Sequence, residues 1–501
     1  MPRSLIRPMA LLAAGIVVAS LVVHAWHAVS TAAYVDFVTG VWLTLANDLV
    51  HGVFYRPLVG PEGYGGTRYF PLCFVSIGAL MRLGLSPLAA GFVVSAVAAA
   101  LLAAGVRRLL LRFGLPPAVA AAGAVFVFAP KFAQQGLLAI RSDILAAALV
   151  IWGLDFSLSA ADQERPGMGT LAAAAACFTL AFATKVTSLY APAGIVVSLL
   201  WMARPGAAVR LGGMVAAGVT ATVAVVAVAS SGRAIESWLE VGFAGAGMAE
   251  WLRSVPHAFA TEVVGRSRVF ASVLLAAAAG WLAMVRARGP KMLAVLFPVT
   301  IIATTVVLAS PGTSFQNQLF DAFAVSVVII GWSVAHYVRI RSLAVAGLLL
   351  LSLVAARQSL KPVLTQDLRQ RAVELSSERA ALVRELAADP GLVLSESPEV
   401  LAMAGSRPYL LDPFMLRVLS IHRPELLRQL HGDIEDRRFS RVILMLDPDG
   451  RHGRGWYANV NFGRPVMSRI LANYEFAEVR AGLRVYRPKA RAPEPPTSAL
   501  D

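Results

Sequence analysis

Long apolar segments recur along most of this 501-residue chain, and they limit its fold more than any other feature. A helix needs about 20 mostly apolar residues to cross a bilayer, because its backbone polar groups find no partners in lipid. About twelve segments before residue 358 approach this requirement, including 9–29, 87–106 and 211–230. The residues are 57% hydrophobic and only 15% charged, which excludes an ordinary soluble protein. The sequence therefore predicts a polytopic α-helical membrane protein.

Basic residues between the apolar segments indicate how the chain is oriented. Cytoplasmic loops carry an excess of Lys and Arg. All the basic clusters lie on one side of the membrane if residues 69–106, which contain two apolar segments, change sides only once. The clusters are Arg3 and Arg7; Arg107, Arg108 and Arg112; Arg204 and Arg210; Arg286, Arg288 and Lys291; and Arg339 and Arg341. We therefore expect about 11 transmembrane helices, with 12 or 13 left open, in the cytoplasmic (inner) membrane. The N-terminus should be cytoplasmic and the chain after residue 357 should lie outside.

The overall charge and the N-terminal segment fit this orientation. The net charge of +15 is explained by anchoring to anionic membrane lipid, and it gives no reason to expect nucleic acid as a partner. The first apolar segment is interpreted as an uncleaved anchor, although the small residues at 30–33 could also mark a signal-peptide cleavage site. In both cases residue 36 emerges outside.

The composition changes after residue 356, which ends the predicted transmembrane module, 1–356. Residues 357–390 combine many charges with apolar residues at helical spacing, which predicts an amphipathic linker helix. Residues 391–489 contain strand-like runs (GLVLSE, RPYLLD, RVILMLD), helical stretches and a closing hairpin, which predict a small extracytoplasmic α/β domain. Residues 490–501 are rich in Pro and Ala and predict a disordered tail.

One short motif in this domain suggests a metal site but is better explained by a turn. Asp447-Pro448-Asp449 resembles the DxD signature that holds a metal and a diphosphate in soluble nucleotide-sugar glycosyltransferases. Asp, Pro and Gly450 also fit positions i, i+1 and i+3 of a type I turn, and the loop should lie outside, whereas nucleotide sugars are cytoplasmic. We therefore predict no metal ligands here. No cofactor is indicated with certainty, and a divalent cation is left open.

Asp36 lies just beyond the first apolar segment, in a predicted outer loop that spans 30–68. A carboxylate at this point is either a solvated surface group or, if the loop folds over a cavity, a general base that accepts a proton from a hydroxyl. Asp48, on the amphipathic stretch that follows, is interpreted as a solvated residue rather than as a second carboxylate of a site.

The end of the same loop reads GYGGTRYFPL (63–72), with three glycines and Tyr64, Arg68 and Tyr69 just before an apolar run. Glycines let a backbone approach a ligand closely, and the other side chains can stack on a ligand or contact a phosphate. A plain turn before a helix explains the glycines but not the arginine. We therefore include these residues among the candidates for substrate binding.

Charged residues also interrupt the apolar pattern at the outer ends of later segments. Arg141 and Asp143 open one segment, and Lys185 separates two apolar runs. Charges at such positions are functional hypotheses by default, although a local Arg141–Asp143 ion pair and a Lys185 that snorkels to the outer headgroups are alternatives. Together with Arg68, three cations would converge on one outer rim, which is the chemistry that holds a lipid-linked phosphate.

These features, in this order, resemble the GT-C superfamily of integral membrane glycosyltransferases. The resemblance is to the branch with protein mannosyltransferases, the aminoarabinose transferase for lipid A, RgtA/B/C/D-like enzymes and family 87. The matching stretches are Tyr34-Val35-Asp36, Arg68-Tyr69-Phe70-Pro71-Leu72, Arg141-Ser142-Asp143, Ala183-Thr184-Lys185 with Thr187, and LSESPEVLAMAGSRPYLLDPF at 394–414. The resemblance implies a GT-C-like membrane module followed by a small extracytoplasmic α/β domain.

The resemblance also implies a reaction. Sugar would pass, with inversion, from a polyprenyl-phosphate donor to a hydroxyl of a polysaccharide, lipid or protein at the outer face of the membrane. Asp36 would be the general base. Lys185, Arg68 and Arg141 would bind the donor phosphate as it becomes the leaving group. Further candidates for substrate contact are Tyr64, Tyr69, Asp143 and Gln316.

The competing hypothesis is a polytopic transporter or lipid flippase without transferase activity. Such proteins usually contain two similar halves and place polar residues or broken helices near the middle of the bilayer. This sequence shows no convincing internal repeat, and its unusual charges cluster at the predicted outer rim. The sequence therefore favours an enzyme that works at that surface.

Overall fold

The computed structural model is mostly helical and describes residues 3–32, 34–163, 167–242, 248–265, 267–310 and 316–490. The helices are α1 (Ile6–Thr31), α2 (Phe37–Val50), α3 (Pro71–Arg82), α4 (Pro87–Arg112), α5 (Pro117–Phe126), α6 (Lys131–Leu138), α7 (Asp143–Ala161), α8 (Met168–Thr184), α9 (Tyr190–Trp201), α10 (Pro205–Ala229), α11 (Arg233–Val241), α12 (Met248–Ala258), α13 (Arg268–Arg286), α14 (Lys291–Leu308), α15 (Phe320–His336), α16 (Arg341–Leu364), α17 (Gln366–Ala388), α18 (Pro398–Met403), α19 (Pro413–His422), α20 (Arg428–Glu435), α21 (Arg451–Asn459) and α22 (Arg464–Asn473). The strands are β1 (Val59–Gly60), β2 (Gly63–Tyr64), β3 (Leu392–Ser395), β4 (Phe439–Leu444), β5 (Tyr474–Arg480) and β6 (Leu483–Pro488).

Seven of the described helices are long and apolar enough to cross a membrane: α1, α4, α7, α10, α13, α14 and α16. Helices α5 and α6 pass the same test together, with a 71° bend between them. Pro130 precedes α6 and explains the break, since proline lacks the N–H that would continue the helix. Helices α2, α3, α8, α9 and α15 are apolar but shorter. The predicted polytopic helical membrane fold is therefore present.

Helices α2 and α3 form a short pair at one end of the bundle. Arg82 at the end of α3 donates to the carbonyl of Leu49 near the end of α2, at 3.5 Å, and Gly78 packs against Ala46 and Leu49. With 12 residues, α3 is about 18 Å long, well short of the roughly 30 Å of a hydrocarbon core. Helix α3 therefore packs beside α2 instead of running the length of the bundle.

The other end of the bundle carries paired arginines, and we call it the basic end. Arg108 of α4 donates to Asp155 of α7 at 2.6 Å, and Arg112 pairs with both Asp155 and Asp162. Asp155 is fully buried, and a buried carboxylate is tolerated when cations neutralise it. Because α4 and α7 both end here, both helices begin at the opposite end, beside α2 and α3.

The C-terminal part, by which we mean residues 391–489, folds around a four-stranded sheet in the order β3-β4-β6-β5. Strands β3 and β4 are parallel, whereas β6 is antiparallel to both β4 and β5. A core that includes the fully buried Phe414, Phe439 and Phe462 joins the sheet to the surrounding helices. The result is a mixed α/β arrangement.

The secondary structure of this part differs from the sequence-based prediction at residues 407–412. We expected RPYLLD to be a strand, but it lies outside the sheet and forms a single parallel bridge between Leu410 and Tyr64. Helix α19, which follows directly, was not predicted. Its start signals are present, because Asp412 accepts a hydrogen bond from the Phe414 N–H at 3.1 Å and Pro413 occupies the first helical position.

The turn at 447–450 has the predicted form. The Gly450 N–H donates to the Asp447 carbonyl at 3.1 Å, and the Asp447 carboxylate pairs with Arg484 at 3.0 Å. These contacts tie the turn to the neighbouring strand β6. They give Asp447 a structural role in place of the rejected DxD metal site.

The glycine-rich loop at 63–66 is enclosed by the C-terminal part. The Tyr64 N–H donates to the Tyr409 carbonyl at 2.7 Å, and the Leu411 N–H donates to the Tyr64 carbonyl at 2.9 Å. Gly63 has a φ of +111°, and a Cβ there would lie 2.0 Å from the Tyr409 carbonyl oxygen. Glycine is therefore required because two segments of this chain meet closely, and not because a ligand approaches, as the sequence suggested.

Candidate active site

A cavity of about 410 Å³ opens where the helix bundle, the α2–α3 pair and the connection after α8 meet. The charged side chains that line it are Arg68, Arg141, Asp143 and Lys185, and its aromatic lining includes Trp42, Tyr69, Phe70, Trp238 and Trp251. It lies at the end of the bundle opposite the basic end, since Asp143 is the first residue of α7. The structure thus brings together four charged residues that the sequence singled out separately.

Asp36 occupies the N-cap of α2. Its Oδ1 accepts a hydrogen bond from the Thr39 N–H at 3.0 Å, as expected of an aspartate that precedes a helix. Its Oδ2 accepts a hydrogen bond from Arg141 at 2.5 Å, and a third of the side chain stays exposed. The N-cap contact fixes the carboxylate and orients its second oxygen toward a residue of the cavity wall.

Arg141 lies in the connection between α6 and α7 and has a different partner from the one considered from the sequence. Its side chain is 9% exposed and pairs with Asp36, whereas Asp143, two residues away, pairs with Lys185. Arg141 therefore links the first outer loop to the cavity. The two ion pairs join three segments that are distant in sequence, around residues 36, 141–143 and 185.

Lys185 follows the last residue of α8 and turns inward. Its Nζ donates to Asp143 at 2.8 Å, and only 15% of the side chain is exposed, so the reading of a lysine that snorkels to headgroups was wrong. Asp321, near the start of α15, is close enough to interact electrostatically with Lys185. The ammonium group is thus held at the cavity wall by carboxylates of two helices.

Arg68 is the least neutralised of the cavity cations. Its guanidinium lies 3.9 Å above the ring of Phe414 and, within the described ranges, makes no ion pair and no side-chain hydrogen bond. Burial raises the pKa of the neighbouring Asp412 carboxyl, and the positive charge of Arg68 opposes that change. A half-buried cation that makes no ion pair among the described residues is suited to binding an anion.

Aromatic rings make the rest of the wall apolar. Tyr69 packs on Trp42 with ring centroids 4.5 Å apart, and Phe70 stacks on Trp238 at 4.1 Å. Burial raises the pKa of the Tyr69 phenol, so this hydroxyl stays protonated. Such a wall excludes water and strengthens electrostatic interactions inside the cavity. The tryptophans were not predicted as site residues, although the sequence places them in outer segments.

Of the predicted substrate contacts, Tyr64 falls outside this cavity. Tyr64 is fully buried, and its hydroxyl donates to the Leu426 carbonyl at 2.8 Å, so it has no surface left for a ligand. The prediction for Tyr64 was therefore wrong. The side chain of Gln316 lies outside the described residues, whereas Gln318 lines the cavity.

Asp48 is also structural, contrary to the expectation of a solvated residue. It is 5% exposed and accepts two hydrogen bonds from Arg56, at 2.6 and 3.0 Å. Arg56 donates further to the Pro408 carbonyl at 2.7 Å, which ties the first outer loop to the C-terminal part. Among the described residues, no group of three or more His, Cys, Asp or Glu side chains could hold a metal ion.

The fold of the chain is shared with solved membrane proteins. ArnT from Cupriavidus metallidurans bound to undecaprenyl phosphate aligns with a TM-score of 0.60 at 12% identity, over 94% of this chain and 97% of that chain. The oligosaccharyltransferase AglB from Archaeoglobus fulgidus, in complex with an inhibitory peptide and a dolichol-phosphate, aligns with a TM-score of 0.54 at 12% identity, over 94% of this chain and 74% of that chain. No protein-family model and no curated protein sequence matches this chain significantly. The chain therefore shares its overall fold with ArnT and AglB, in agreement with the GT-C-like fold expected from the sequence resemblance.

Proposed function

We propose that the protein is a membrane glycosyltransferase that moves a sugar from a polyprenyl-phosphate donor to an acceptor hydroxyl at the outer face of the cytoplasmic membrane. One observation carries this proposal: Arg68, Arg141 and Lys185 line a single cavity, and Arg141 holds the carboxylate of Asp36. The ligands named for the two structural neighbours, undecaprenyl phosphate and dolichol-phosphate, belong to the proposed donor class.

The donor phosphate would be bound by the cavity cations. Arg68 offers a guanidinium that makes no ion pair in the described part of the chain, and Lys185 offers an ammonium that pairs with Asp143. Guanidinium groups bind phosphate oxygens through paired N–H donors, and both kinds of cation act more strongly in a water-poor cavity. The polyprenyl chain would extend into the surrounding lipid. Tyr69 and Gln318 are placed to contact the sugar.

Asp36 would act as the general base. Its free oxygen lone pairs accept the proton of the acceptor hydroxyl while the hydroxyl oxygen forms a bond to the anomeric carbon. The bond between that carbon and the phosphate oxygen breaks, its electron pair stays with the polyprenyl phosphate, and the configuration inverts. The departing phosphate gains a negative charge, which Arg68, Lys185 and Arg141 stabilise more strongly in the transition state than in the ground state.

The distribution of basic residues supports the sidedness. Arg108 and Arg112 lie at the basic end, and Lys291 donates to the carbonyl of Trp201, the last residue of α9. The positive-inside tendency places these basic residues in the cytoplasm. Because α3 stays beside α2, about eleven crossings bring the chain from a cytoplasmic N-terminus to an outer C-terminal part. In this proposal the crossings would be α1, α4, α5 with α6, α7, α8, α9, α10, α13, α14, α15 and α16, of which α8, α9 and α15 are shorter apolar helices. The cavity then opens on the outer side.

The acceptor is a polysaccharide, a lipid or a protein with a free hydroxyl, and membrane lipid surrounds the helices. The mechanism described needs no metal ion, since three cations of the chain already surround the proposed phosphate position. A divalent cation would have to be held by the donor phosphate together with Asp36 or Asp143. Addition of a chelator to an active preparation tests this point.

The Asp36→Asn variant tests the proposed function. Asparagine keeps the oxygen that accepts from Thr39, so α2 remains capped, but it is too weak a base to take the acceptor proton. We expect turnover to fall by about 10²- to 10⁴-fold, which is the usual contribution of a general base. The measurement is release of polyprenyl phosphate, together with glycosylated acceptor, from a panel of polyprenyl-phosphate sugars, using purified protein in nanodiscs.

The matched control is Asp449→Asn, which removes an exposed carboxylate from the C-terminal part and should leave turnover unchanged. Folded yield on size-exclusion chromatography must be equal for both variants. If Asp36→Asn transfers sugar as fast as the unaltered protein, Asp36 is not the base. If the protein moves polyprenyl-linked sugar across vesicles without cleaving the phosphate bond, the transporter hypothesis replaces the enzymatic one.

A further inference from the structure

The segment that leads into Asp36 has little support from its own helices. Helix α1 ends at Thr31, and Ala32 adopts a left-handed conformation with a φ of 49°. The Val35 N–H donates back to the Ala32 carbonyl at 3.1 Å, and α2 starts immediately after Asp36. The position of the Asp36 carboxylate therefore depends on how this connection is held.

An arginine from a distant helix holds it. Nη1 of Arg379, in α17, donates to the Ala32 carbonyl at 2.8 Å and to the Val35 carbonyl at 3.1 Å. Val35 is the residue directly before Asp36. One guanidinium thus bridges both ends of the connection from a position 344 residues away in the chain from Val35.

The helix that carries Arg379 is itself fixed to the C-terminal part. Leu382 and Leu386 of α17 are buried in a cluster with Val400 and Leu401 of α18. In addition, Glu385 of α17 accepts a hydrogen bond from Arg441 of β4 at 3.0 Å. Arg379 therefore lies on a helix that is packed against the C-terminal part. The position of that part thus determines where Arg379 contacts the α1–α2 connection.

Helix α18 approaches the same place from another side. A Cβ added to Gly40, one turn after Asp36, would lie 2.3 Å from the backbone nitrogen of Glu399. The Glu399 side chain is 3% exposed and interacts electrostatically with both Arg379 and Asp36. The beginning of α2 is thus confined between Arg379 and the backbone of α18.

We propose that Arg379 is a positioning residue that sets the geometry of Asp36 for proton transfer, so that the C-terminal part is a component of the catalytic site. This inference rests on the proposed function for its kinetic consequence. Arg379 does not line the cavity that holds the phosphate-binding candidates, so its effect should be on the rate of the chemical step and not on donor affinity. Its two carbonyl contacts, in contrast, are independent of any substrate.

Three variants test the proposal in the full-length protein in nanodiscs. Arg379→Gln removes the charge and the bridge, Arg379→Lys keeps the charge but places its N–H donors differently from Nη1, and Arg384→Gln removes an exposed arginine from the same helix as a control. We expect Arg379→Gln to lower kcat by about tenfold or more, because small misplacements of a catalytic group are costly. The KM for the donor should stay within about twofold. The kcat of Arg379→Lys should lie between those of Arg379→Gln and the unaltered protein, and the kcat of Arg384→Gln should match that of the unaltered protein.

Hydrogen exchange provides a second measurement that needs no substrate. The amides of residues 34–42 should exchange faster in Arg379→Gln than in Arg384→Gln, while peptides from α7 and α8 stay unchanged. Equal exchange of residues 34–42 in the two variants overturns the proposal, as does a kcat within twofold of the unaltered protein or a selective rise in donor KM. If the unaltered protein transfers no sugar from any donor, the proposed function fails, and the exchange comparison still decides whether Arg379 holds this segment.

Discussion

The buried carboxyl of Glu399 predicts that stability falls as the pH rises, which is the reverse of the usual behaviour of an acidic residue. Burial in α18 raises the pKa of this carboxyl from 4.5 to about 8, with Arg379 opposing the change and Asp36 adding to it. Within the part of the chain that the structure describes, its Oε2 has no hydrogen-bond partner. The folded protein therefore holds Glu399 protonated at neutral pH, whereas the unfolded chain ionises it.

The size of the effect follows from the shift. Each unit of pKa difference corresponds to about 1.4 kcal/mol, so the protonated carboxyl favours the folded state most strongly below pH 4.5. Between pH 4.5 and about 8 unfolding releases a proton, and stability declines as the pH rises. From pH 5 to pH 8 the contribution of Glu399 should fall by roughly 4 kcal/mol. Above the folded-state pKa the contribution is constant.

The comparison of the unaltered protein with Glu399→Gln isolates this contribution, since glutamine resembles the protonated carboxyl and does not titrate. The free energy of unfolding would be measured in mixed detergent and SDS micelles at pH 5, 6, 7 and 8, with the fluorescence of the 9 tryptophans as the signal. We expect the unaltered protein to lose stability relative to Glu399→Gln over this range. Glu475→Gln, an exposed residue of β5, is the control and should follow the unaltered protein. Parallel pH profiles for Glu399→Gln and the unaltered protein would refute the reasoning.

Two further predictions concern packing and donor binding. Gly40→Ala should destabilise the protein by about 1–3 kcal/mol, seen as a lower melting temperature, because the new Cβ overlaps the backbone of α18. Gly15→Ala in α1, where a Cβ meets open space, is the control, and equal melting temperatures for the two variants would contradict the prediction. Arg68→Gln should raise the donor KM about tenfold, since it removes one charge-assisted phosphate contact. The exposed Arg82→Gln should leave the KM unchanged, and an unchanged KM for Arg68→Gln would exclude Arg68 from the phosphate site.

The sequence predicted the membrane fold well because its signals are local. The composition of an apolar segment indicates that the segment can lie in lipid, and a basic cluster indicates which end of a helix is expected in the cytoplasm. The N-cap role of Asp36 also has a local signal, since an aspartate before a helix is a common N-cap, but it was not predicted. Short α3 is informative here. The basic residues alone required that residues 69–106 cross only once in net terms, and a 12-residue helix beside α2 supplies the physical reason.

The pairing of the charges could not be predicted, because it depends on contacts between distant segments. Proximity in the sequence suggested an ion pair between Arg141 and Asp143, but Arg141 lies in the connection before α7, whereas Asp143 is the first residue of α7. Arg141 instead reaches Asp36, 105 residues away, and Lys185 reaches Asp143. Periodicity contains no information on such partners. The sequence identified the charged residues but did not indicate which of them form ion pairs.

The errors at Tyr64 and at residues 407–412 have one common cause. Both stretches have the composition of exposed or sheet-forming chain, yet they satisfy each other through the contact of Tyr64 with Tyr409 and Leu411. Composition could not reveal that a loop near the N-terminus and a segment more than 340 residues later share a core. The signals that were available lay in Gly63 and Gly65, whose missing side chains permit a close approach of backbone but do not say what approaches.

The placement of the cations reflects the cost of burying charge in such an apolar chain. Arg141 and Lys185 each hold a carboxylate within hydrogen-bond distance, because an isolated buried cation is strongly disfavoured. Arg68 instead lies against the ring of Phe414, a residue of the C-terminal part. The cation with the most capacity for a phosphate and the arginine that holds the segment before Asp36 therefore both depend on the region after residue 365. Without that region, Arg68 would lose its contact with the ring of Phe414, and the segment before Asp36 would lose the two hydrogen bonds from Arg379.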